Sequence, residues 1–416
     1  MRSLLPISAF TFISSYFKPH EENVNSQIDC ASKKSLQLIK IFREKTGVPG
    51  ICVHVNIGGK ATAEFSHGYS DVENLSKCKL NSLMRVASIS KSFTSIIAAK
   101  LLDEGILDLD KDINEYLPEF PIKKFDNKKV KITTRQLLSH RSGVRYYKKQ
   151  GNLNTYNLPE FLNIKHCPDS SSARECFEND ELVFEPGKNF LYTTYGFVLL
   201  GSVLEKVGRE SKFFDQNNKS LKKNSQFLES MFDTIFDNLK LENTHCEYHN
   251  KILLNRSRQY KRGCDKNCAL EVSSYVDNSC KWAGGGIIST CCDISKMAEA
   301  LTEIWLGKKN GIISQNSLQL LWKPISEKKI KFDNQDLWSY GMGWSMKEQN
   351  DRFLVGHTGG ASGGASALVI NLPKSKEDSD YVIVTILCNM ENLSDYIGDL
   401  AVQISYLFQE LKLNSK

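Results

Sequence analysis

The sequence predicts an α/β fold: one sheet built from both ends of the chain and flanked by terminal helices, with a helical subdomain inserted between its halves and a cleft at the junction. Three observations predict it. A helical pattern followed by two strand patterns opens the folded part of the chain. Helical patterns dominate from about residue 90 to about residue 310. A β-rich stretch and a last amphipathic helix close it, so the strands at the two ends belong to one layer. Length alone would admit roughly two or three domains, but single folds of this size are common, and no internal repeat or long low-complexity tract divides the chain. We therefore expect a targeting or disordered segment over residues 1–28 and a single domain over 29–412, with the helical subdomain at about 90–310.

Each element follows from its own pattern. The opening segment, MRSLLPISAFTFISSYFKPH, has no acidic residue, and nothing from Ser3 to Phe17 is charged. It is too short to span a bilayer and is interrupted by Pro6. As a secretory segment it lacks a convincing small-residue cleavage site; as a transit segment it is poor in arginine. Both readings stay open. SQIDCASKKSLQLIKIFREKTG carries an apolar helical stripe and stops at Gly47. PGICVHVNIGGKATAEFSHGY reads as two strands joined at Gly58-Gly59. MRVASISKSFTS starts a helix whose apolar positions, Phe93, Ile96, Ile97, Leu101 and Leu102, recur at helical spacing until Gly105 supplies a stop. RFLVGHTGG, ASALVINLP and SDYVIVTILCNM return to strand, and DYIGDLAVQISYLFQEL is the last helix.

Composition narrows the function classes. The chain is 41% hydrophobic and 25% charged, which suits a protein with a sizeable core. Its formal net charge of +6 is modest, and the basic clusters (Lys123-Lys124, Lys128 to Lys131, Lys222-Lys223, Lys328 to Lys331) are scattered without interleaved aromatics. They read as solvated faces, not as a nucleic-acid surface. The twelve cysteines form no regular framework, and a fold of this length needs no disulfide staples. His245 and His249, followed by Cys264 and Cys268, could complete a tetrahedral zinc site, but their order reverses the common finger pattern. We read them as loop residues and expect no metal.

The candidate chemistry begins at Ser88 and Lys91. Ser-x-x-Lys alone is a poor signal, since the chain also has it at Ser15, Ser76, Ser220 and Ser326. Only Ser88 opens an apolar helix, where backbone N–H groups and the macrodipole favour developing negative charge. A lysine one turn on lies on the same face, and partial desolvation would lower its pKa enough to accept the serine proton. Tyr192 stands at the mouth of a second apolar helix, where a phenol oxygen could reach a cleft. His357, Thr358, Gly359 and Gly360 lie at a strand edge where glycines let a ligand approach the backbone. Two stretches are decoys. Ser362 satisfies G-x-S-x-G, but that elbow needs a helix after it and ASALVINL is strand-like. His140 reads as the end of a helix before Ser142-Gly143. Trp282 and Gly284 to Gly286 could line the cleft, or the glycines could simply make a turn.

Taken in order, Ser88-x-x-Lys91, Tyr192-Thr193-Thr194 and His357-Thr358-Gly359 resemble the three motifs of serine β-lactamases and penicillin-binding proteins. VPGICVHVNIGGK, GYSDVENLSKCK, TTRQLLSHRSGVRYY, NRSRQY, YVDNSCKWAGGGIIST and ILCNM narrow the resemblance to the animal mitochondrial serine β-lactamase-like (LACTB) family, over about residues 35 to 410. The resemblance implies a β-lactamase/transpeptidase-like α/β fold with a mostly antiparallel sheet. It implies that Ser88 attacks an amide or ester carbonyl while Lys91 and Tyr192 share base and relay work. The N–H groups of Ser88 and Gly360 would bind the oxyanion, and Thr194, His357, Thr358 and Gly359 would line the substrate site. No metal or organic cofactor is implied. The family also implies peptidase-like activity on a peptide or small amide or ester substrate in mitochondria, a link to lipid metabolism, and assembly into homo-oligomers or filaments.

Departures qualify the match. The segment from Tyr146 to Asp180 is shorter than the charged insertion that members often carry. Thr194 stands where many β-lactamases have asparagine, and a hydroxyl cannot reproduce both ends of an amide. His357 replaces the usual lysine of the third motif. Efficient antibiotic hydrolysis therefore does not follow. The alternative readings are a filament-forming scaffold with vestigial catalysis, which the intact Ser88, Lys91 and Tyr192 argue against, and a secreted serine esterase.

Overall fold

The computed structural model describes residues 24–148, 159–216, 227–263, 268–332, 337–349, 351–374, 381–409 and 411. Residues 1–23, most of the expected targeting or disordered segment, lie outside the described residues, as does Cys264. The first helix, α1, runs Val24–Thr46, so residues 24–28 belong to it rather than to a separate segment.

The two ends of the chain meet in a nine-stranded sheet. The first end supplies β1 (Gly50–Ile57), β2 (Lys60–Asp71) and β3 (Ser76–Lys77). The strand β4 (Met84–Arg85) then leads into a short 3-10 turn, Ala87–Ile89, and helix α2 (Ser90–Asp103). The subdomain contributes α3 (Thr134–Leu138), α4 (Thr194–Gly208), α5 (Phe227–Asn238), β5 (His245–Cys246), β6 (Ile287–Ser289), α6 (Cys291–Trp305) and α7 (Gln315–Leu321). The chain returns through β7 (Ser326–Lys331), β8 (Leu337–Tyr340), β9 (Ser345–Gln349), β10 (Arg352–Ala361), β11 (Gly364–Pro373), β12 (Val382–Cys388) and α8 (Ser394–Gln409). Strand order is β7-β8-β9-β10-β11-β12-β1-β2-β3, with every neighbouring pair antiparallel.

The pair β1·β12 closes the fold, with Ile51 opposite Cys388 and Ile57 opposite Val382. Both strands are buried along their whole length because the sheet is covered on both faces. Ile51, Val53, Val55 and Ile57 face a core shared with α1 and α8, while Cys52 faces the core of the helical side. Each such aliphatic contributes about 1.5–3 kcal/mol by burial, so alternation fixes the register.

Strands β7 to β9 extend the sheet beyond what the sequence pattern announces. β7 and β9 carry lysine and glutamate, whereas β8 is Leu-Trp-Ser-Tyr; charge suits the edge strand β7, whose outer side has no strand partner among the described residues. Among the described residues, no helix is long and apolar enough to cross a membrane, and no cysteine is in a disulfide. His249 Nδ1 lies 3.1 Å from Asp277 Oδ2, a contact that does not involve the cysteines of the zinc alternative.

Candidate active site

Ser88 is placed by backbone geometry. It sits in the 3-10 turn before α2, and its predecessor Ala87 adopts φ +48°, left-handed for a residue with a Cβ. Such a residue costs about 1–2 kcal/mol and needs support from its surroundings. Support comes from β10 and β11: Ser366 Oγ donates to Val86 O at 2.7 Å, and Gly359 lies against the turn. A Cβ at Gly359 would come 2.6 Å from Val86 O and 2.9 Å from the Ala87 Cβ. Glycine there is what lets the strand edge reach the serine.

The small sheet β4-β6-β5 holds the opposite wall. Val86 N donates to Ile287 O at 3.1 Å, and Ile287 N donates to Ser90 Oγ at 3.1 Å. Beneath it Arg85 is buried with Glu247, 2.8 Å from Nε to Oε2, and also donates to Ser362 O at 2.5 Å. Burial pushes the Glu247 carboxyl up, but the Arg85 charge and hydrogen bonds from Arg85 and Asn278 outweigh it and hold the pKa below its ordinary value. The bond to Ser362 O ties the start of the Ser88 segment to the tip of the β10–β11 hairpin, and the ion pair ties it to Glu247.

Lys91 lies in α2 with no exposed surface. Its Nζ donates to Ser88 Oγ at 3.0 Å and to Gly284 O at 2.5 Å. Burial, and secondarily the Lys281 charge, lower its pKa from 10.5 to about 7. Its amine lies 4.9 Å from the Tyr192 ring centroid. The Tyr192 hydroxyl interacts with Ser88, which lowers its pKa, but burial outweighs this and raises it well above the ordinary phenol value. Near neutral pH the site therefore holds a protonated phenol beside an amine that can lose its proton, the amine hydrogen-bonded to the half-buried serine hydroxyl. Such a pair can remove the proton from an attacking serine and return one to a leaving group.

The other predicted residues gather here in different ways. Pairing of β10 with β9 ends at Gly356, while its pairing with β11 continues to Ala361. From His357 to Ala361 one edge of β10 thus lacks a strand partner and packs on the serine turn. Thr358 is half-buried and Gly360 exposed. Thr194 begins α4 and is 7% exposed. His357 is 2% exposed. Burial, then the Lys91 charge, lower its pKa to about 3, so the ring is neutral.

His357 belongs to a buried chain that the sequence reading missed. Thr193 N–H donates to His140 Nδ1 at 3.2 Å, which puts the His140 proton on Nε2. That Nε2 lies 3.3 Å from the Tyr340 hydroxyl, which lies 3.0 Å from His357 Nε2. His357 Nδ1 is 2.6 Å from Thr358 O, which can only accept. The donors therefore run in one direction, from His140 through Tyr340 and His357 to the β10 edge, and both rings must be neutral. The His140 ring also lies 4.2 Å from that of Tyr192. His140 does follow a helix end, since α3 stops at Leu138, but its position at φ +59° serves this chain as well. Tyr340→Phe should leave two buried ring nitrogens unpaired, lower Tm, and cost about 1–3 kcal/mol for each unsatisfied group. Thermal unfolding checks it, and an unchanged Tm would show that the chain is not under load.

Ser362 is no elbow. It sits between β10 and β11 rather than between a strand and a helix, and it shares a 2.8 Å hydrogen bond with Ser273. The large groove lined by Trp305, Trp322, Met346 and Phe353 contains none of the Ser88 constellation, so chemistry rather than size assigns the cleft.

A helix-start serine bonded to a buried lysine, beside the edge of an antiparallel sheet, defines the class of serine β-lactamases and penicillin-binding proteins. A β-lactamase family model matches residues 37–404. The chain belongs to that family of serine hydrolases, and within it to the serine β-lactamase-like LACTB proteins. The human mitochondrial serine β-lactamase-like protein LACTB is 30% identical over 91% of this chain and 80% of its own length. Two solved structures share the fold. The octameric penicillin-binding protein homologue from Pyrococcus abyssi has a TM-score of 0.66 at 21% identity, covering 90% of this chain and 76% of its own. D-amino acid amidase from Ochrobactrum anthropi has a TM-score of 0.66 at 20% identity, covering 94% and 99%.

Proposed function

We propose that this chain hydrolyses a neutral amide or ester through an acyl-enzyme, with peptides as the principal substrate class. One observation carries the proposal: a buried amine with a pKa of about 7 lies 3.0 Å from the Ser88 hydroxyl. Lys91 takes the Ser88 proton as Oγ attacks the carbonyl carbon. Tyr192, protonated at rest, passes a proton to the leaving group and recovers one from Lys91. The N–H groups of Ser88 and Gly360 hold the oxyanion, about 3–4 kcal/mol for one such donor. Water then attacks the acyl-enzyme, releases the acid and restores Ser88. These steps require no metal or organic cofactor. Thr358 and Gly359 offer the substrate a backbone edge, while Thr194 and His357 hold the walls behind it.

Location and assembly rest on likeness. Three relatives are named as mitochondrial, and the Pyrococcus homologue is described as octameric. We propose on that basis that the protein is mitochondrial and assembles into homo-oligomers; a role in lipid metabolism and filament assembly is carried by the family resemblance alone.

A matched pair of substrates, one neutral and one with a carboxylate beside the scissile bond, tests the substrate class. The neutral substrate should give the higher kcat/KM. The acid substrate should gain nothing as pH falls towards about 6, because His357, with its pKa near 3, stays uncharged there. His357→Lys should slow both, since it puts an ammonium where Tyr340 and Thr358 now hold a neutral ring. A wild-type preference for the acid, or a gain on the acid alone from the lysine, would contradict the proposal.

A further inference from the structure

Away from the cleft, three elements bring three metal-ligating side chains together. His54 lies on β1, Glu64 is its cross-strand partner on β2, and Cys292 is in the first turn of α6. His54 Nε2 is 3.5 Å from Glu64 Oε1, and Cys292 Sγ is 3.8 Å from the same oxygen. The three ligand atoms all lie within 4.8 Å of one another, and no other group of three or more such residues was found among the described residues. Tetrahedral zinc with bonds of about 2.0 Å to nitrogen and oxygen and about 2.3 Å to sulfur needs ligand separations of roughly 3.3–3.6 Å. Two of the three edges are already close to that.

A second observation points the same way. His54 is 5% exposed, yet its Nδ1 has no hydrogen-bond partner. Thr385, opposite it on β12 and so on the same face of the sheet, likewise has a buried hydroxyl without a partner. A metal-bound histidine holds its second ring N–H on an oxygen, which fixes the tautomer and orients the ring. Thr385 Oγ1, unbonded to His54 as the ring now stands, is the oxygen that a metal-oriented ring would recruit. Glu64 is exposed and Cys292 half-buried, which leaves a path in and a fourth position for water. The nearby cation Lys296 lies 3.3 Å from Asp293, which balances its charge.

We propose that His54 Nε2, the Glu64 carboxylate and the Cys292 thiolate bind a divalent cation of the zinc type, with water completing the tetrahedron. Binding releases the Cys292 proton to solvent, and the thiolate and carboxylate offset the charge of the ion. The ion pins the start of α6 to β1 and β2. Because α6 follows β6 directly, the clamp also steadies the wall that carries Gly284.

The test is titration of the chelator-treated full chain with Co²⁺, then Zn²⁺, followed by absorbance and thermal unfolding. A thiolate-to-cobalt band should saturate near about one equivalent, zinc should displace it, and zinc should raise Tm. Cys292→Ser, checked to be folded by its metal-free Tm, should lose the band, and Glu64→Gln should weaken binding. Thr385→Val should weaken it by about 10–100-fold, as loss of an outer-shell partner does. Absence of the band, a band unchanged in Cys292→Ser, or no Tm response to zinc would overturn the proposal.

Discussion

Lys91→Met should slow acylation by about 10²–10⁴-fold and yet stabilise the fold. Both effects come from one fact: burial lowers the Lys91 pKa from 10.5 to about 7. Between those values the unfolded chain holds a proton that the folded chain has released, so stability rises with pH across that window. At pH 7 and below, the cost of keeping the amine out of water stands in full, with a ceiling on the order of 5 kcal/mol. Methionine removes that cost while filling similar space. The Tm gain should therefore be larger near pH 6 than near pH 10. The wild-type kcat/KM should climb through about pH 7 as Lys91 loses its proton, and the variant should lack that limb. Tyr192→Phe should cause a comparable loss through the proton relay. The double variant should be far less than multiplicatively worse, because the two groups act as a unit. A Lys91→Met protein that acylates at the wild-type rate, or is less stable at pH 6, would mean that Lys91 is a packing residue.

The parts of this site that rest on local pattern were legible in the sequence. Ser88 and Lys91 are three residues apart on one helix, so periodicity alone put them together. Gly359 announces a close approach because a strand rarely carries adjacent glycines without a backbone neighbour. The sheet ends were legible for the same reason: β1 and β12 are long apolar strands, and glycines crowd the β10–β11 turn at Gly359, Gly360, Gly363 and Gly364. Nothing local links His140 to Tyr340, which are 200 residues apart in the chain, or Arg85 to Glu247, 162 apart. Their sequence signals, a helix-end histidine and isolated charges, belong to thousands of ordinary positions. His357 was legible as a departure from lysine but not as a neutral link, because its partner Tyr340 sits on a strand whose neighbours are charged. Thr194 was legible from its place after Tyr192, whereas its burial at the start of α4 was not.

The largest expected effect belongs to Ser88→Ala. It removes the hydroxyl that lies 3.0 Å from the Lys91 amine, so no acyl-enzyme can form. The fold should survive, because Ser88 is half-buried, Lys91 keeps its bond to Gly284 O, and a hydrogen bond lost at such a position costs about 0.5–1.5 kcal/mol. The direct measurement is mass spectrometry of the intact protein after a serine-directed acylating probe, followed by peptide mapping. The wild type should carry a single adduct on Ser88, and the alanine variant, with nearly unchanged Tm, should carry none. An adduct that persists in Ser88→Ala, or that maps to Ser362, would contradict the assignment of Ser88 as the nucleophile.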